Sequence, residues 1–491
     1  MRRRSTASNW HVDPWVVLAV AALAAVFFYL LVSVLRFGIG FPLDDAWIHL
    51  TYARNLAHHG QWAFRLGEQS AGSTSPLWTA ILSIGFLVGL GPYVWTYFAG
   101  WVVLTLLAVC AEKIARTLVT SYTSRTPWAG LFVVFAWHLT WSAVSGMETL
   151  LHGLIILTVL GMLISGSRRY LTLGVLTGLS VWVRPDGLTL LGPVIFVALL
   201  SEKTWYRRGE AIWKTMIGFG SLVLPYVFFN LALSGNAMPN TFYAKRAEYG
   251  MFWLSKPFQE RLSDYLAPIL ASPFLVLAPG AVIWLVKRIR AQDWGALASL
   301  LWVLGYIAIY FFSLPAYQHG RYIIPALPVI YLWGMVGLLE IVLSPGANKR
   351  LVFVWQTLTI VLCLAFEFLG ARQNANDVLW VESEMVATAK WVDQNIPPDA
   401  RLAVHDIGAL GYYVQNPVVD MAGLITPAVV PFIREEARLA QYLDSNSVDY
   451  LITFPSFYPR LTSERELVFE AGLVVPSAAA AAESIGVYRW R

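Results

Sequence analysis

Charge is what this chain has least of. Of its 491 residues only 13% are Asp, Glu, Lys or Arg, while 57% are hydrophobic. Soluble domains carry about 25% charged residues, so a water-soluble globule is excluded for most of the length. Cysteine is nearly absent too: Cys110 and Cys363 both lie inside apolar runs. That leaves neither a disulfide framework nor a cysteine-ligated zinc site, and the two thiols read as small buried hydrophobes. No internal repeat and no glycine-rich nucleotide-binding motif stands out; the nearest thing to low complexity is the alanine run 478–482. The modest basic excess, 35 Lys and Arg against 30 Asp and Glu, does not indicate nucleic acid, because charge is segregated along the chain. Residues 371–491 hold 9 basic against 15 acidic residues, and the basic excess belongs to residues 1–370.

What is abundant is apolar sequence in runs near 20 residues, each long enough to cross ~30 Å of hydrocarbon. Trp and Tyr, 22 of each, suit the aromatic belts of a membrane interface. Candidate spans are 14–35, 76–91, 93–111, 128–146, 148–165, 171–184, 186–201, 212–233, 266–287, 296–314, 321–343 and 351–369. The first follows "MRRRSTASNWHVDP" and is too long for a signal-peptide core, so it reads as a retained span. Basic clusters at Arg2–Arg4, Lys113/Arg116, Arg168/Arg169, Lys203/Arg207/Arg208, Lys287/Arg288/Arg290 and Lys349/Arg350 mark cytoplasmic loops by the positive-inside rule. The opposite side receives 37–75, 234–265, 315–320 and the tail from 371. Twelve crossings would return both ends to one side, which conflicts with an acidic tail following the basic loop at 349–350; eleven or thirteen spans are expected instead.

The expected fold is thus a polytopic α-helical membrane domain over 1–370, with a first outer loop at 37–75, and a small α/β domain over 371–491. In the tail, "EMVATAKWVDQNIPP" reads as a helix stopped by two prolines. "RLAVHD", "PVVDM", "DYLITF" and "SIGVYRW" read as strands, with a helical stretch near 428–441.

Chemistry concentrates where the chain leaves its first span, in "FPLDDAWIHLTYARNLAHHG". Asp44 is placed to cap a helix and Asp45 to sit in its first turn, where the helix dipole favours negative charge. Trp47, Leu50, Leu56 and Ala57 predict an amphipathic helix along the outer membrane face, ended by Gly60. Two adjacent carboxylates within reach of Arg54 or His49 exceed what a cap needs. "GSTSPLW", with Thr74 and a proline opening the next span, is a place for a ligand to meet backbone amides. On the same face fall Glu148 in "SGMET", Arg184 and Asp186 in "WVRPDG", Asn240, Tyr243, Lys245 and Arg246 in "PNTFYAKR", and His319 and Arg321 in "YQHGRY". Charges at membrane depth are costly and mark functional sites. In the tail, His405 and Asp406 of "HDIGALGYY" end a strand, a common place for ligand contacts in α/β folds; with "VVDMAGL" they matter if this domain packs over the site.

This ordered set, "LDDAW", "GSTSPLW", "SGMET", "RPDG", "PNTFYAK" and "GRYIIPALP", resembles the GT-C superfamily of integral-membrane glycosyltransferases, and nearest its bacterial arabinofuranosyl- and mannosyltransferase-like branch, whose members also carry an external C-terminal domain. Ser70 and Ala71 depart from the more acidic stretch of the arabinofuranosyltransferases. The resemblance implies a polyprenyl-phosphate-linked sugar as donor, a cell-envelope glycan, lipid or protein as acceptor, inversion at the anomeric carbon, and a site on the outer face of a bacterial plasma membrane. It places the general base at Asp44 or Asp45, with Asp45 taken first. Fixed cations stabilise the leaving phosphate: Lys245 and Arg321 first, then Arg246 and Arg184. Glu148, His319, Thr74, Asn240, Tyr243, His405 and Asp406 are the expected substrate contacts. Asp44, Glu148 and His319 have the chemistry to hold a divalent cation, Mg or Mn. Two other readings remain: a transporter or flippase of lipid-linked sugars, which usually shows repeats and midplane charges, and a scaffold that tolerates loss of both aspartates.

Overall fold

The computed structural model describes residues 13–472 and 483–491, so the basic cluster Arg2–Arg4 and the alanine run 478–482 lie outside the described residues. The membrane part comprises α1 (Pro14–Arg36), α2 (Asp45–His59), a short hairpin β1 (Ala63–Arg65) and β2 (Glu68–Gln69), α3 (Pro76–Leu87), α4 (Pro92–Leu118), α5 (Trp128–Val134), α6 (Trp137–Val144), α7 (Thr149–Ile164), α8 (Tyr170–Val183), α9 (Leu191–Ser201), α10 (Trp205–Ser234), α11 (Asn240–Ser255), α12 (Phe258–Leu270), α13 (Phe274–Arg290), α14 (Trp294–Phe311), α15 (Leu327–Val342) and α16 (Lys349–Val381). The tail adds α17 (Ala387–Asn395), β3 (Leu402–Val404), α18 (Gly408–Tyr413), β4 (Val418–Asp420), α19 (Glu436–Ser445), β5 (Tyr450–Thr453), α20 (Pro459–Thr462), β6 (Glu466–Glu470) and β7 (Gly486–Arg489).

Helix α1 shows how lipid shapes the pattern. Asp13 caps it, accepting from the Trp15 amide at 2.9 Å. Its buried positions are Leu18, Ala22, Ala25, Val26, Tyr29 and Ser33, while Val20, Leu23, Phe27, Leu31 and Leu35 are exposed. The outward face is the greasier one, as a hydrocarbon solvent requires. Inside the bundle, small residues let helix backbones touch. A Cβ on Gly174 of α8 would lie 2.2 Å from the Thr215 carbonyl oxygen of α10, and one on Gly337 of α15 would lie 2.0 Å from the Gly280 carbonyl oxygen of α13.

Among the described residues six helices are individually long and apolar enough to cross a membrane, the bent pair α12–α13 makes a seventh if it is one span, and four shorter apolar helices lie among them. The chain is a multi-pass membrane protein. Two expected spans are interrupted. The run 128–146 divides into α5 and α6 at Phe135–Ala136, and 266–287 turns through 93° between α12 and α13. Ser272 and Pro273 occupy that turn, where the proline has no amide to continue the helix.

Helix α16 does not stop at the expected boundary of 370. It continues to Val381 and passes through a π turn, Glu382–Val386, into α17, so the tail is joined by helix. Its five-stranded sheet has the order β4-β3-β5-β7-β6. Strands β4, β3 and β5 are parallel; β7 and β6 add antiparallel. Leu402, Ala403, Val404, Leu451, Ile452 and Val487 are fully buried in it. The four strands expected from sequence are present; β6 was not expected, because its "ELVFE" is a half-exposed edge.

Candidate functional site

Two ends of the bundle differ in kind. At one, Arg288 reaches the Ile164 carbonyl and Arg168 pairs with Glu202, so the basic loops gather there. At the other end sit the start of α2, the "SGMET" turn before α7, the break after α8, α11 and the loop before α15, and the tail packs there against α2 and α11.

The two aspartates part company at once. Asp45 Oδ2 accepts from Arg321 Nη2 at 2.6 Å and from Lys245 Nζ at 3.2 Å. The side chain of Asp45 is 28% exposed, that of Lys245 20% and that of Arg321 5%, so the triad opens to a ligand. Burial opposes ionisation of Asp45, but the charges of Lys245 and Arg321 prevail and hold its carboxyl well below the usual carboxylate range. Asp44 turns the other way. Its side chain makes no capping bond to α2; its two oxygens accept the amides of Gly408 and Ala409, both at 2.8 Å, at the start of α18. Burial, then the Asp406 charge, push its carboxyl up to about 7. Only a glycine fits at 408, since a Cβ there would lie 2.1 Å from the Asp44 carbonyl oxygen.

Helix α2 is not the one-sided surface helix the pattern suggested. Residues Ala46–Ala53 are all buried, between α3 and α18, with Trp47 against the rings of Tyr412 and Tyr413 at 4.8 and 5.2 Å. The tail supplies the cover that a lipid surface was expected to supply. Neither Arg54 nor His49 reaches the aspartates: Arg54 donates to the Tyr412 carbonyl at 2.6 Å, and His49 points inward.

Beneath the triad runs a second, buried layer. His49 Nδ1 meets Ser73 at 3.1 Å and Thr79 at 3.2 Å, and its Nε2 lies 3.3 Å from Glu148. Glu148, fully buried, accepts from Arg184 Nη1 at 2.8 Å. Arg184 also pairs with Asp186 at 3.1 Å, whose other oxygen accepts from Tyr306 and Tyr310, each at 2.6 Å. Arg184 and Glu148, expected as ligand contacts, are paired with each other in the floor of the site. Tyr322 joins the layers, with the Arg321 and Arg184 guanidinium groups 5.2 and 5.6 Å from its ring centre.

His319 is likewise an anchor. Its Nε2 lies 2.7 Å from Asp377 of α16, and its ring rests against Trp141. Gln318, His319 and Gly320 have φ of 53°, 60° and 74°; a run of left-handed residues is rare away from glycine, and it delivers Arg321 to Asp45. The three residues expected to share a metal do not converge. Asp44 holds amides, Glu148 holds Arg184, His319 holds Asp377, and no group of three such side chains placed to take a metal occurs among the described residues.

The remaining expected contacts are distributed around the triad. Thr74 is half-buried on the loop before α3; that loop's Gly72 amide is already bonded to the Tyr52 hydroxyl at 3.0 Å. Asn240 donates its backbone amide to Ala71, while its side-chain oxygen is buried without a partner. Tyr243 is 40% exposed. Arg246 is exposed and in no ion pair among the described residues, so it is not part of the triad. His405 Nε2 meets Glu248 of α11 at 2.8 Å and its Nδ1 meets Asp406 at 3.2 Å; Asp406 is 25% exposed. Sequence reading missed Glu248, Asp377, Gly408, Tyr306, Tyr310 and Tyr322. Of these Glu248 was findable, three residues after Lys245 on one helix face.

The fold is shared with solved proteins. ArnT from Cupriavidus metallidurans, solved with undecaprenyl phosphate, superposes with a TM-score of 0.60 at 16% identity, covering 97% of this chain and 98% of that one. The oligosaccharyltransferase of Archaeoglobus fulgidus gives 0.61 at 11% identity, over 91% of this chain and 70% of that one. The chain has the GT-C fold. In sequence it is 26% identical over 346 residues to a terminal β-(1→2)-arabinofuranosyltransferase of Mycobacterium tuberculosis, a match covering 62% of this chain and 53% of that protein. The match thus spans about half the length of this curated relative. Residues 374–488 match a domain of unknown function, DUF8728, which here covers the end of α16 and the tail sheet.

Proposed function

We propose that this GT-C protein is an inverting glycosyltransferase that moves a sugar from a polyprenyl-phosphate donor to a cell-envelope acceptor at the outer face of a bacterial plasma membrane. The observation that carries this is Asp45 held between Lys245 and Arg321 at 3.2 and 2.6 Å, where the bundle meets the tail. The solved GT-C neighbour with undecaprenyl phosphate bound and the arabinofuranosyltransferase relative support the donor class.

The donor phosphate competes for the two cations that Asp45 occupies. As it binds, Lys245 and Arg321 turn to its oxygens, where fixed cations stabilise the charge that grows as the glycosidic bond breaks. Asp45 is thereby released, and its basicity rises toward that of an ordinary carboxylate. The acceptor hydroxyl oxygen bonds to the anomeric carbon from the face opposite the phosphate, its proton passes to Asp45, and the bond from carbon to phosphate oxygen breaks, releasing polyprenyl phosphate. Asp44, with both oxygens on tail amides, is a positioning group in this scheme and not the base.

The test uses the full chain in lipid with a panel of polyprenyl-phosphate sugars and envelope acceptors, following release of polyprenyl phosphate. Asp45→Asn is expected to lower turnover about 100-fold or more, the scale of a lost general base, in protein that still inserts. Turnover unaffected by this change removes the assignment.

A further inference from the structure

One short segment of the tail, His405 to Ala409, touches both sides of the triad. Its first residue bridges to α11: His405 Nε2 lies 2.8 Å from Glu248 Oε1, with side chains 5% and 6% exposed. Arg434 adds a bond from Nε to the Glu248 carbonyl at 3.2 Å. Its last two residues hold Asp44 through backbone amides. Asp44 adjoins Asp45, and Glu248 stands one helical turn beyond Lys245, so chain neighbours of both partners in the Asp45–Lys245 pair are fixed by one segment.

Helix α11 is tied near its ends, by the Asn240 amide on the Ala71 carbonyl and by Trp253 Nε1 on the Phe311 carbonyl at 2.8 Å; between them Phe242 and Tyr243 are exposed, and the bridge supplies the hold near its middle. The bridge to His405 is charged. Burial opposes protonation of His405, but Tyr458, Asp406 and Glu248 outweigh it and hold its pKa well above the usual histidine range. Burial likewise opposes ionisation of Glu248, and the His405 charge overcomes it and lowers its pKa.

We infer that His405 is a positioning residue: its bridge to Glu248, beside the tail's grip on Asp44, sets Lys245 at the place where the donor phosphate is bound. This rests on the polyprenyl-phosphate reading above. It makes the tail a working part of the donor site, acting through α11 and without touching the reacting atoms.

The experiment uses the full chain in lipid nanodiscs with three readouts: affinity for polyprenyl phosphate, donor KM and kcat, and hydrogen exchange over residues 240–255. His405→Ala is expected to weaken polyprenyl-phosphate binding and raise donor KM about 10-fold or more, the scale seen when a group orienting a binding residue is lost. At saturating donor, kcat should stay within roughly threefold, and exchange over α11 should quicken. His405→Gln, which keeps a donor toward Glu248, should restore most of each. If His405→Ala fails to fold, Glu248→Ala, which removes the same bridge from the other side, carries the same expectations. Unchanged KM, affinity and exchange in a folded variant overturn the inference, as does a fall in kcat alone. Faster exchange in the variant, with no polyprenyl-phosphate binding by the wild type, would leave the clamp standing and remove the donor reading.

Discussion

Asp44 and Asp45 are neighbours in sequence with opposite electrostatic surroundings. Asp45 faces two cations and stays ionised. Asp44 faces two amides, but its burial, and then the carboxylates of Asp406 and Asp45, raise its pKa to about 7, above the ordinary ~3.9. A carboxyl with a raised folded-state pKa favours the fold when protonated. Its contribution is full below the unfolded value and is lost as pH climbs through the folded one. The melting temperature of the wild type should therefore fall, relative to Asp44→Asn, as pH rises from about 4 to about 7. Parallel thermal denaturation series in detergent measure this, and curves that stay parallel across that range would refute it. Asp44→Asn should also be less stable overall, because an amide group has one acceptor oxygen for two tail amides, and an unmet buried donor costs ~1–3 kcal/mol.

At the level of elements, the loop before α15 carries its information in backbone conformation. Gly320 has φ +74°, and a Cβ there would lie 2.4 Å from the Pro268 side chain of α12. Gly320→Ala should cost ~1–3 kcal/mol and raise donor KM, because Arg321 follows directly. Gly305 in α14 is a contrast: a Cβ there meets nothing within 4 Å, and Gly305→Ala should leave stability equal or improved by up to ~1 kcal/mol. Thermal stability and donor titration of the two variants, side by side, check both. Equal behaviour would mean that the left-handed run is not what places Arg321.

For the whole molecule, the arrangement requires that the triad and the tail face one compartment and the basic loops the other. Arg246 and Arg290 are exposed at these two ends, and the native cysteines offer little background, since Cys363 is buried and Cys110 half-buried. In intact cells, Arg246→Cys should react with a membrane-impermeant maleimide, and Arg290→Cys should react only after permeabilisation. The reverse pattern would place the site on the cytoplasmic side and remove the outer-face reading.

Much of this protein is written locally. Long apolar runs can only be satisfied in hydrocarbon, so the membrane class and most helices were readable from residues alone, and so were the tail strands with two-residue alternation or a fully apolar run. The motifs also named Asp45, Lys245 and Arg321 before any geometry was known. What the sequence could not decide is which polar groups meet. Arg184, Glu148 and His319 carry the same chemistry as Arg321, Asp45 and Lys245. Their partners separate them: Arg184 and Glu148 pair with each other and His319 pairs with Asp377, whereas Asp45, 28% exposed, takes both Lys245 and Arg321, a pairing open to exchange with a ligand. The role of Asp44 is the clearest case. Nothing near residue 44 announces that Gly408 and Ala409, more than 350 positions later, will take both of its oxygens. That contact exists only because the tail folds back over α2, and long-range packing of that kind has no signature in a local stretch of chain.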